Sequence, residues 1–196
     1  MAAAVDATIA AISELGYHGA TMREICGRAG LSQGAVTRHF PTRADLIAAA
    51  AQEVAQRQEA LYIAGLSAAP AGSSPVRTAI RLLRDGTRTP LNAVWLELAV
   101  AARTSPELAA RIGPVISGVY LKTMELASLL PTSGQLGPVD FQTLVMSLVH
   151  LFNGEALSLM VVQMPEVEER RLALVSSLVA RLLEAGGPGS LAELLD

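Results

Sequence analysis

Residues 16–47 read GYHGATMREICGRAGLSQGAVTRHFPTRADLI, and this stretch decides the fold of the first part of the chain. Thr21 and Glu24 have the spacing of a capping box, in which each side chain accepts a hydrogen bond from a backbone N–H group at a helix start. Gly30 predicts the end of that helix, because glycine readily adopts the left-handed backbone that closes helices. Ser32 predicts the start of a short third helix, which the next proline ends. We therefore predict two short helices joined by a tight turn.

The third helix, residues 33–40, has one polar side and one apolar side. At about 100° per residue, the polar side carries Gln33, Gly34, Thr37 and Arg38. Two short helices joined by a tight turn, with such a face on the second, form a helix-turn-helix whose second helix enters the DNA major groove. Arginine can bond guanine, glutamine can bond adenine, and a threonine methyl group can touch a thymine methyl group. The pattern therefore predicts DNA binding.

Two other helix starts add candidate contacts with DNA. The N-termini that follow Thr21 and Thr42 offer backbone N–H groups to phosphates, and Arg23 and Arg43 add positive charge beside them. His39 falls by its spacing on the packing side of the third helix, so a structural role and a DNA contact both remain open for it.

The charge of the chain is unevenly distributed. The formal net charge is −3, although residues 23–43 contain four arginines and one glutamate and so carry a local charge of +3. The remainder of the chain is therefore acidic. A cationic segment on an acidic body agrees with a local nucleic-acid contact, although domains that bind nucleic acid are often basic throughout.

Composition and spacing exclude several other classes of protein. With 51% apolar residues, the chain can bury a core, which intrinsically disordered proteins cannot do. One cysteine and three histidines rule out a disulfide framework, a zinc finger and a histidine-rich metal site. We find no paired carboxylates on an apolar helix and no phosphate loop, so we expect no enzyme, no catalytic residues, no metal and no cofactor. Residues 30–34 fit the nucleophile pattern G-x-S-x-G, but that motif follows a strand and this one follows a helix.

Helical spacing recurs along the rest of the chain, so we predict an all-α fold. A small N-terminal helix-turn-helix DNA-binding domain is expected over residues 1–50. A larger C-terminal helical domain for ligand binding and dimerisation is expected over residues 51–196. Further helices are predicted near 43–63, 76–87, 91–103, 106–130, 139–164 and 166–185, with linkers or breaks at 67–75, 131–138 and 186–190.

Two glycines and a proline give finer predictions for the helices. Gly16 predicts the end of the first helix, which begins near Val5. Gly113 and Pro114 predict a kink or a split in the helix over 106–130, because proline removes a hydrogen bond and clashes one turn back.

The helices over 139–164 and 166–185 are apolar on more than one side. Such helices must be covered on more than one side, so they predict self-association through a four-helix interface. A simple monomeric bundle core is the alternative. The residues that we expect at the interface are Phe141, Leu148, Phe152, Leu159, Leu172, Val175, Val179 and Leu182.

A small-molecule pocket is expected among the helices between residues 76 and 164 and the end of the fourth helix. Such sites are mainly apolar with a few polar groups. The candidates are Tyr62, Trp95, Tyr120, Met124, His150 and Asn153. Each of them also fits ordinary packing, and His150 in particular fits a buried, hydrogen-bonded histidine. Few charges fall in these helices, so we expect a largely apolar ligand.

No segment is expected to cross a membrane. The most apolar stretch, residues 139–164, is interrupted by Asp140, His150, Asn153 and Glu155. The N-terminus lacks the basic region with which a signal peptide begins. We therefore expect a cytoplasmic protein.

The stretch quoted first resembles the N-terminal DNA-binding domain of the TetR family of bacterial repressors, and the resemblance covers residues 5–55. It is carried by a glycine and an aromatic residue before the cap, then T-x-R-E-I, A-G-L-S-x-G-A and H-F-P. It implies a homodimer that binds a palindromic DNA operator, with a C-terminal domain that holds a small ligand. It also implies DNA contacts by Gln33, Gly34, Thr37, Arg38 and His39, and further contacts, mostly with phosphate, by Thr21, Arg23, Thr42 and Arg43.

The chain departs from the family pattern at two places. Thr37 stands where tyrosine is common, and the basic arm that often precedes the first helix is absent. Both departures predict a lower non-specific affinity for DNA.

The resemblance also implies a mechanism. A ligand would favour a conformation in which the two recognition helices are wrongly spaced for successive major grooves, and operator affinity would fall. Two alternatives remain open: a DNA-binding regulator whose C-terminal domain only dimerises or meets a protein partner, and a helical ligand carrier or enzyme.

Overall fold

The computed structural model describes residues 1–185, which are helical with short connections and contain no strand. A short 3-10 turn lies at Ser133–Gln135. The α-helices are α1 Ala2–Gly19, α2 Met22–Ala29, α3 Gln33–His39, α4 Arg43–Ser67, α5 Pro75–Thr87, α6 Pro90–Ala102, α7 Pro106–Ser128, α8 Pro138–Leu159 and α9 Pro165–Ala185. The prediction of an all-α fold is confirmed. The break predicted at 186–190 lies outside the described residues.

The chain forms two compact units, and each is built from two separate stretches. The first contains Met1–Leu61 and Arg88–Tyr120, and the second contains Tyr62–Thr87 and the described residues from Leu121 onward. The first unit therefore combines the predicted helix-turn-helix with α6 and most of α7. The functional boundary predicted between residues 50 and 51 stays a prediction, and it falls inside the continuous helix α4.

Local hydrogen bonds fix the ends of α2 and α3, although only half of the predicted capping box forms. The backbone N–H of Thr21 donates to the carbonyl oxygen of Gly19 and not to Glu24, whose carboxylate accepts from Arg28. The Thr21 hydroxyl accepts a hydrogen bond from the backbone N–H of Glu24 at 3.2 Å, and the Ser32 hydroxyl accepts one from that of Ala35 at 3.2 Å. Gly30 closes α2 with φ 65° and ψ 28°, the left-handed conformation that glycine adopts without strain. The two short helices and their turn are thus set by contacts within a few residues.

Gly16 interrupts α1 as predicted, although helical turns resume after it. Its φ of 71° and ψ of 174° are not helical, and any side chain there would be strained. The break frees the backbone N–H of Tyr17, which donates a hydrogen bond of 2.9 Å to the Glu97 carboxylate on α6. The end of α1 is therefore tied to α6.

The core of the first unit joins the three N-terminal helices to α4 and α6. Side chains with no solvent exposure come from α1 (Ile12), α2 (Ile25), α3 (Val36), α4 (Leu46) and α6 (Leu98). Each short helix thus buries an apolar face against longer ones. Burial of such a side chain contributes roughly 1.5–3 kcal/mol.

Two predicted features of the later helices are corrected by the structure. Helix α7 continues through Pro114 and is not split there. Pro114 has no N–H group to donate to the carbonyl oxygen of Ala110, one turn earlier. Ala110 is exposed, so water can hydrogen-bond to that oxygen instead. Helix α8 ends at Leu159 and not at residue 164, because residues 160–164 leave the helix in an exposed turn before Pro165.

The second unit packs α5 against both α8 and α9. Its apolar core includes Ile80 of α5, Phe152 of α8, and Val179 and Leu183 of α9. None of the described helices has the length and the hydropathy needed to span a bilayer.

A buried network of ion pairs lies beside this core. Arg84 on α5 donates to Glu155 on α8 at 3.1 Å and to Glu169 on α9 at 2.9 Å. Arg171 on α9 donates to the other carboxylate oxygen of Glu155 at 2.7 Å. The side chains of Arg84 and Glu155 are only 4% and 3% exposed. Arg84 and Glu155 compensate each other's buried charge and align α5 with α8, and the ion pairs with Glu169 and Arg171 add α9 to the network.

Replacing Glu155 tests this network. In Glu155→Ala, the buried Arg84 loses its enclosed partner, so we expect the free energy of unfolding to fall by about 3–5 kcal/mol. Urea denaturation followed by circular dichroism measures the change. Glu169→Ala is the matched control, because this partner of Arg84 is 70% exposed and its loss should cost about 0–1 kcal/mol. Equal losses in the two variants would contradict the assignment.

Candidate nucleic-acid interface

Helix α3 is anchored by one side chain and presents the others outward. Val36 is fully buried, whereas Gln33, Arg38 and His39 are exposed. None of these three exposed side chains has a hydrogen bond or an ion pair with another described residue. A Cβ added at Gly34 would meet no atom of the chain within 4 Å, so the backbone there lies open to close approach. The helix thus offers donors, an acceptor and a cation to a partner.

His39 is exposed and does not pack as its spacing suggested. Helix α3 is only seven residues long, and the chain turns away after it at Phe40. His39 is the last residue of this short helix, so its side chain lies beyond the helices against which α3 packs. The structure therefore leaves His39 accessible beside Arg38.

Thr37 uses its hydroxyl group inside the helix. The oxygen Oγ1 donates a hydrogen bond of 3.0 Å to the carbonyl oxygen of Gln33. This back-bonding to residue i−4 is common for threonine in helices. The polar group of Thr37 is therefore already satisfied, and its methyl group remains for an apolar contact.

Arg43 holds the start of α4 to the connection between α1 and α2. Its guanidinium donates to the carbonyl oxygen of Ala20 at 3.2 and 3.1 Å and also to that of Tyr17. The guanidinium carbon lies 4.2 Å from the centre of the Tyr17 ring, which adds a cation–π contact. Three partners thus hold the guanidinium of Arg43 in a fixed position, and the predicted phosphate contact stays a prediction.

Thr42 and Asp45 form a complete capping box at the start of α4. The backbone N–H and the hydroxyl of Thr42 donate to the Asp45 carboxylate at 3.1 and 2.9 Å, and the N–H of Asp45 donates to the Thr42 hydroxyl at 3.1 Å. Hydrogen bonds from Thr42 hold the pKa of Asp45 below its ordinary value, and Arg111 on α7 contributes through an ion pair of 3.2 Å. The N–H of Thr42 is therefore occupied. In the sequence, Thr42 is expected to cap α4 and the acidic residue before Leu46 is part of the motif that resembles the family. The role of Asp45 as the partner of Thr42 was missed, although the spacing T-x-x-D was a readable signal.

The arginines of the cationic segment play different parts. Arg28 pairs with Glu24 at 2.7 Å and with Glu14 at 2.8 Å, so its charge is compensated within the unit. Hydrogen bonds to the same two carboxylates raise its pKa. Arg23, at the start of α2 beside the exposed Thr21, is exposed and forms no ion pair with another described residue. Arg23 and Arg38 are therefore the segment's cations with no partner among the described residues.

The predicted ligand residues are not brought together in one unit. Trp95 and Tyr120 belong to the first, whereas Tyr62, Met124, His150 and Asn153 belong to the second. Trp95 donates to the side chain of Gln58 at 2.6 Å. Asn153 bonds to the carbonyl oxygen of Val149 within its own helix. The pKa of Tyr62 is raised because burial disfavours its charged form.

The predicted interface residues pack largely inside the second unit. Phe152 and Val179 are buried in its core, so we withdraw them as residues that could touch a partner subunit. The others on α8 and α9 are half-buried: Phe141, Leu148, Leu159, Leu172, Val175 and Leu182. Apolar residues on other sides of the same helices are exposed instead, among them Leu151, Leu157, Leu174 and Leu178. Helical spacing showed that these helices are apolar on several sides, but it did not show which side faces inward.

Comparison with known proteins agrees with this geometry. Residues 4–50 match the pattern described as "Bacterial regulatory proteins, tetR family". The chain is similar to the HTH-type transcriptional regulator Rv2912c of Mycobacterium tuberculosis, with 35% identity over 175 residues that cover 89% of this chain and 90% of the relative.

Solved structures share the fold. A transcriptional regulator from Rhodococcus sp. RHA1 is 25% identical, with a TM-score of 0.70 over 92% of this chain and 95% of that one. The multidrug binding protein EbrR, solved with malachite green, is 19% identical, with a TM-score of 0.62 over 90% of this chain and 96% of that one. The chain is thus a transcriptional regulator, and it belongs to the tetR family of bacterial regulatory proteins.

Proposed function

We propose that the protein is a homodimeric repressor that binds a palindromic DNA operator and is released from it by a small, largely apolar ligand. The observation that carries the DNA-binding part is the free polar face of α3. Gln33 and Arg38 are the residue types that read base edges in the major groove, and both are exposed without a partner among the described residues. Thr37 adds a methyl group for a thymine.

Contacts with phosphates complete the proposed interface. The start of α2, with Thr21 and the free Arg23, places a helix N-terminus and a cation on the protein surface. Thr42 and Arg43 act indirectly, because their polar groups hold α4 in place. In a dimer, the two recognition helices would reach half-sites about 34–36 Å apart, which accounts for a palindromic operator.

The outer faces of α8 and α9 support the proposed dimer. Leu174 and Leu178 on α9 are 58% and 55% exposed although they are large and apolar. On α8, Ser147, Gly154 and Ser158 lie on one exposed side. Leu151, which is 38% exposed, lies on the same side between Ser147 and Gly154. The small residues let a second helix approach closely, and the leucines supply apolar area. A second copy of the chain, which brings the same two faces, would cover both.

The first unit contains contacts through which a ligand could act on DNA binding. Helix α6 packs against α1, and Glu97 accepts the hydrogen bond from Tyr17 at the Gly16 break. Arg111 on α7 pairs with Asp45 in the cap of α4. A ligand that shifted α6, α7 or α4 would therefore shift the helices beneath α3. The similar protein EbrR was solved with malachite green and with proflavin, which supports a small organic ligand for this chain.

Substitution of Arg38 tests the DNA-binding proposal. We expect the wild-type protein to select a two-fold-symmetric sequence from random DNA. Arg38→Ala should bind that sequence at least ~10-fold more weakly, because a bidentate contact with a base contributes about 1–3 kcal/mol. Fluorescence anisotropy at fixed salt measures the affinity. Arg103→Ala, which removes an equal charge from an exposed turn of the same unit, should bind like the wild type. Selection of no symmetric motif at low salt would refute the proposal.

Substitution of Gly154 tests the proposed dimer. A Cβ added there would meet no atom of its own chain within 4 Å and the position is exposed, so we expect Gly154→Arg to fold normally. It would nevertheless obstruct the close approach of a second α8, and we expect sedimentation velocity to show monomers. Gly118→Arg is the control, because Gly118 is an equally open helical position on α7, and this variant should remain dimeric. A dimeric Gly154→Arg would place the interface elsewhere.

The ligand part of the proposal is tested through Trp95, the single tryptophan of the chain. Malachite green and a set of other apolar organic compounds are titrated while its fluorescence is followed. A compound that binds saturably should weaken operator binding over the same concentrations by about 5–150-fold, the usual range of coupling between two sites. Saturable binding that leaves operator affinity unchanged would contradict the repressor mechanism. If no compound binds, the regulator without a small-molecule ligand is favoured.

A further inference from the structure

A cleft of about 380 Å³ opens in the second unit between α5, α9 and the connection that precedes α5. It is separate from the predicted ligand pocket, because none of the six candidate residues of that pocket lines it. Its walls combine polar and apolar groups. Arg77, Arg81, Ser73 and Ser176 contribute polar side chains, while Leu172 supplies apolar surface.

Two arginines give the cleft a positive charge. Arg77 and Arg81 lie four residues apart on α5 and therefore on one side of the helix. Both are exposed, and neither guanidinium bonds to another residue of the described chain. The one carboxylate that lines the cleft belongs to Glu169, and it is already paired with Arg84 at 2.9 Å. Both guanidinium groups are thus available to an anion.

A hydroxyl group in the cleft points to the same conclusion. Ser176 is only 8% exposed and lines the cleft, and its hydroxyl has no hydrogen bond with any described residue. The hydroxyl is not among the buried polar atoms without a partner, so it is accessible from the cleft and can donate to a ligand there. Thr78, which is 5% exposed, lies across the cleft with its hydroxyl 3.5 Å from that of Ser73. Hydroxyl donors and arginines are the side chains that hold phosphate groups.

We propose that this cleft binds a small organic molecule that carries a phosphate group. Arg77 and Arg81 would hold the phosphate oxygens, and Ser176 would donate a further hydrogen bond. Leu172 and Ala173 would cover the organic part. The bound molecule would contact α5 and α9 together and so stabilise the packing of the second unit. This site involves no residue of the proposed DNA interface, so it does not depend on operator binding.

Isothermal titration calorimetry of the full chain tests the site, with inorganic phosphate and glycerol 3-phosphate as probes and sodium chloride keeping the ionic strength constant. We expect one saturable site, with glycerol 3-phosphate bound more tightly than phosphate. Arg77→Gln and Arg81→Gln should each weaken binding about tenfold, the effect of losing one charge-assisted hydrogen bond. Ser176→Ala should weaken it about fivefold without loss of folding, because alanine fills nearly the same space.

The control is Arg103→Gln, which removes one charge from the first unit and should leave the affinity unchanged. An equal loss in Arg103→Gln would show general attraction to a charged surface and would overturn the proposal. Absence of saturable binding would overturn it as well.

Vesicles that contain phosphatidic acid distinguish a lipid phosphate from a soluble one. If the protein binds these vesicles but not glycerol 3-phosphate, a soluble ligand is excluded. Displacement of glycerol 3-phosphate by DNA of random sequence would assign the arginines to nucleic acid.

Discussion

The recognition helix depends on packing from beneath. Helix α3 has seven residues, and a helix of that length is not stable alone in water. Only Val36 is buried on it, so its position follows from the core formed by α1, α2, α4 and α6. Arg43 and the capping box of Thr42 with Asp45 fix the start of α4 directly after it. The surface that we propose for the major groove is thus held in place by the core, by Arg43 and by the capping box.

The two units differ in how they treat charge in the interior. In the first, the buried side chains of the described residues carry no charge. In the second, Arg84 and Glu155 are buried with their charges, whereas leucines on α8 and α9 face outward. Burying a charged pair contributes little net stability but fixes how helices are aligned, and exposed leucines favour association. Each arrangement therefore suits the part that we propose for its unit.

Arginine has two different uses in this chain. Arg28, Arg43 and Arg84 are bound to carboxylates or carbonyl oxygens and serve the structure. Others, such as Arg38 and Arg81, have no partner within the described residues and remain available to ligands. The planar guanidinium group suits both tasks, because it can donate several hydrogen bonds in fixed directions.

The amino-acid sequence by itself determined the helical class, the N-terminal caps of α2 and α3, and the polar side chains of α3 that we propose to read DNA. These features depend on hydrogen bonds and spacing within about four residues, which can be read along the chain. Only the tertiary structure decided that Arg43 and Thr42 have internal partners and that Phe152 and Val179 face inward. It also decided that Arg84 forms an ion pair with Glu155. The last pair is separated by 71 positions. Helical periodicity gives the sides of a helix but not the neighbour that each side meets, so such contacts require the assembled fold.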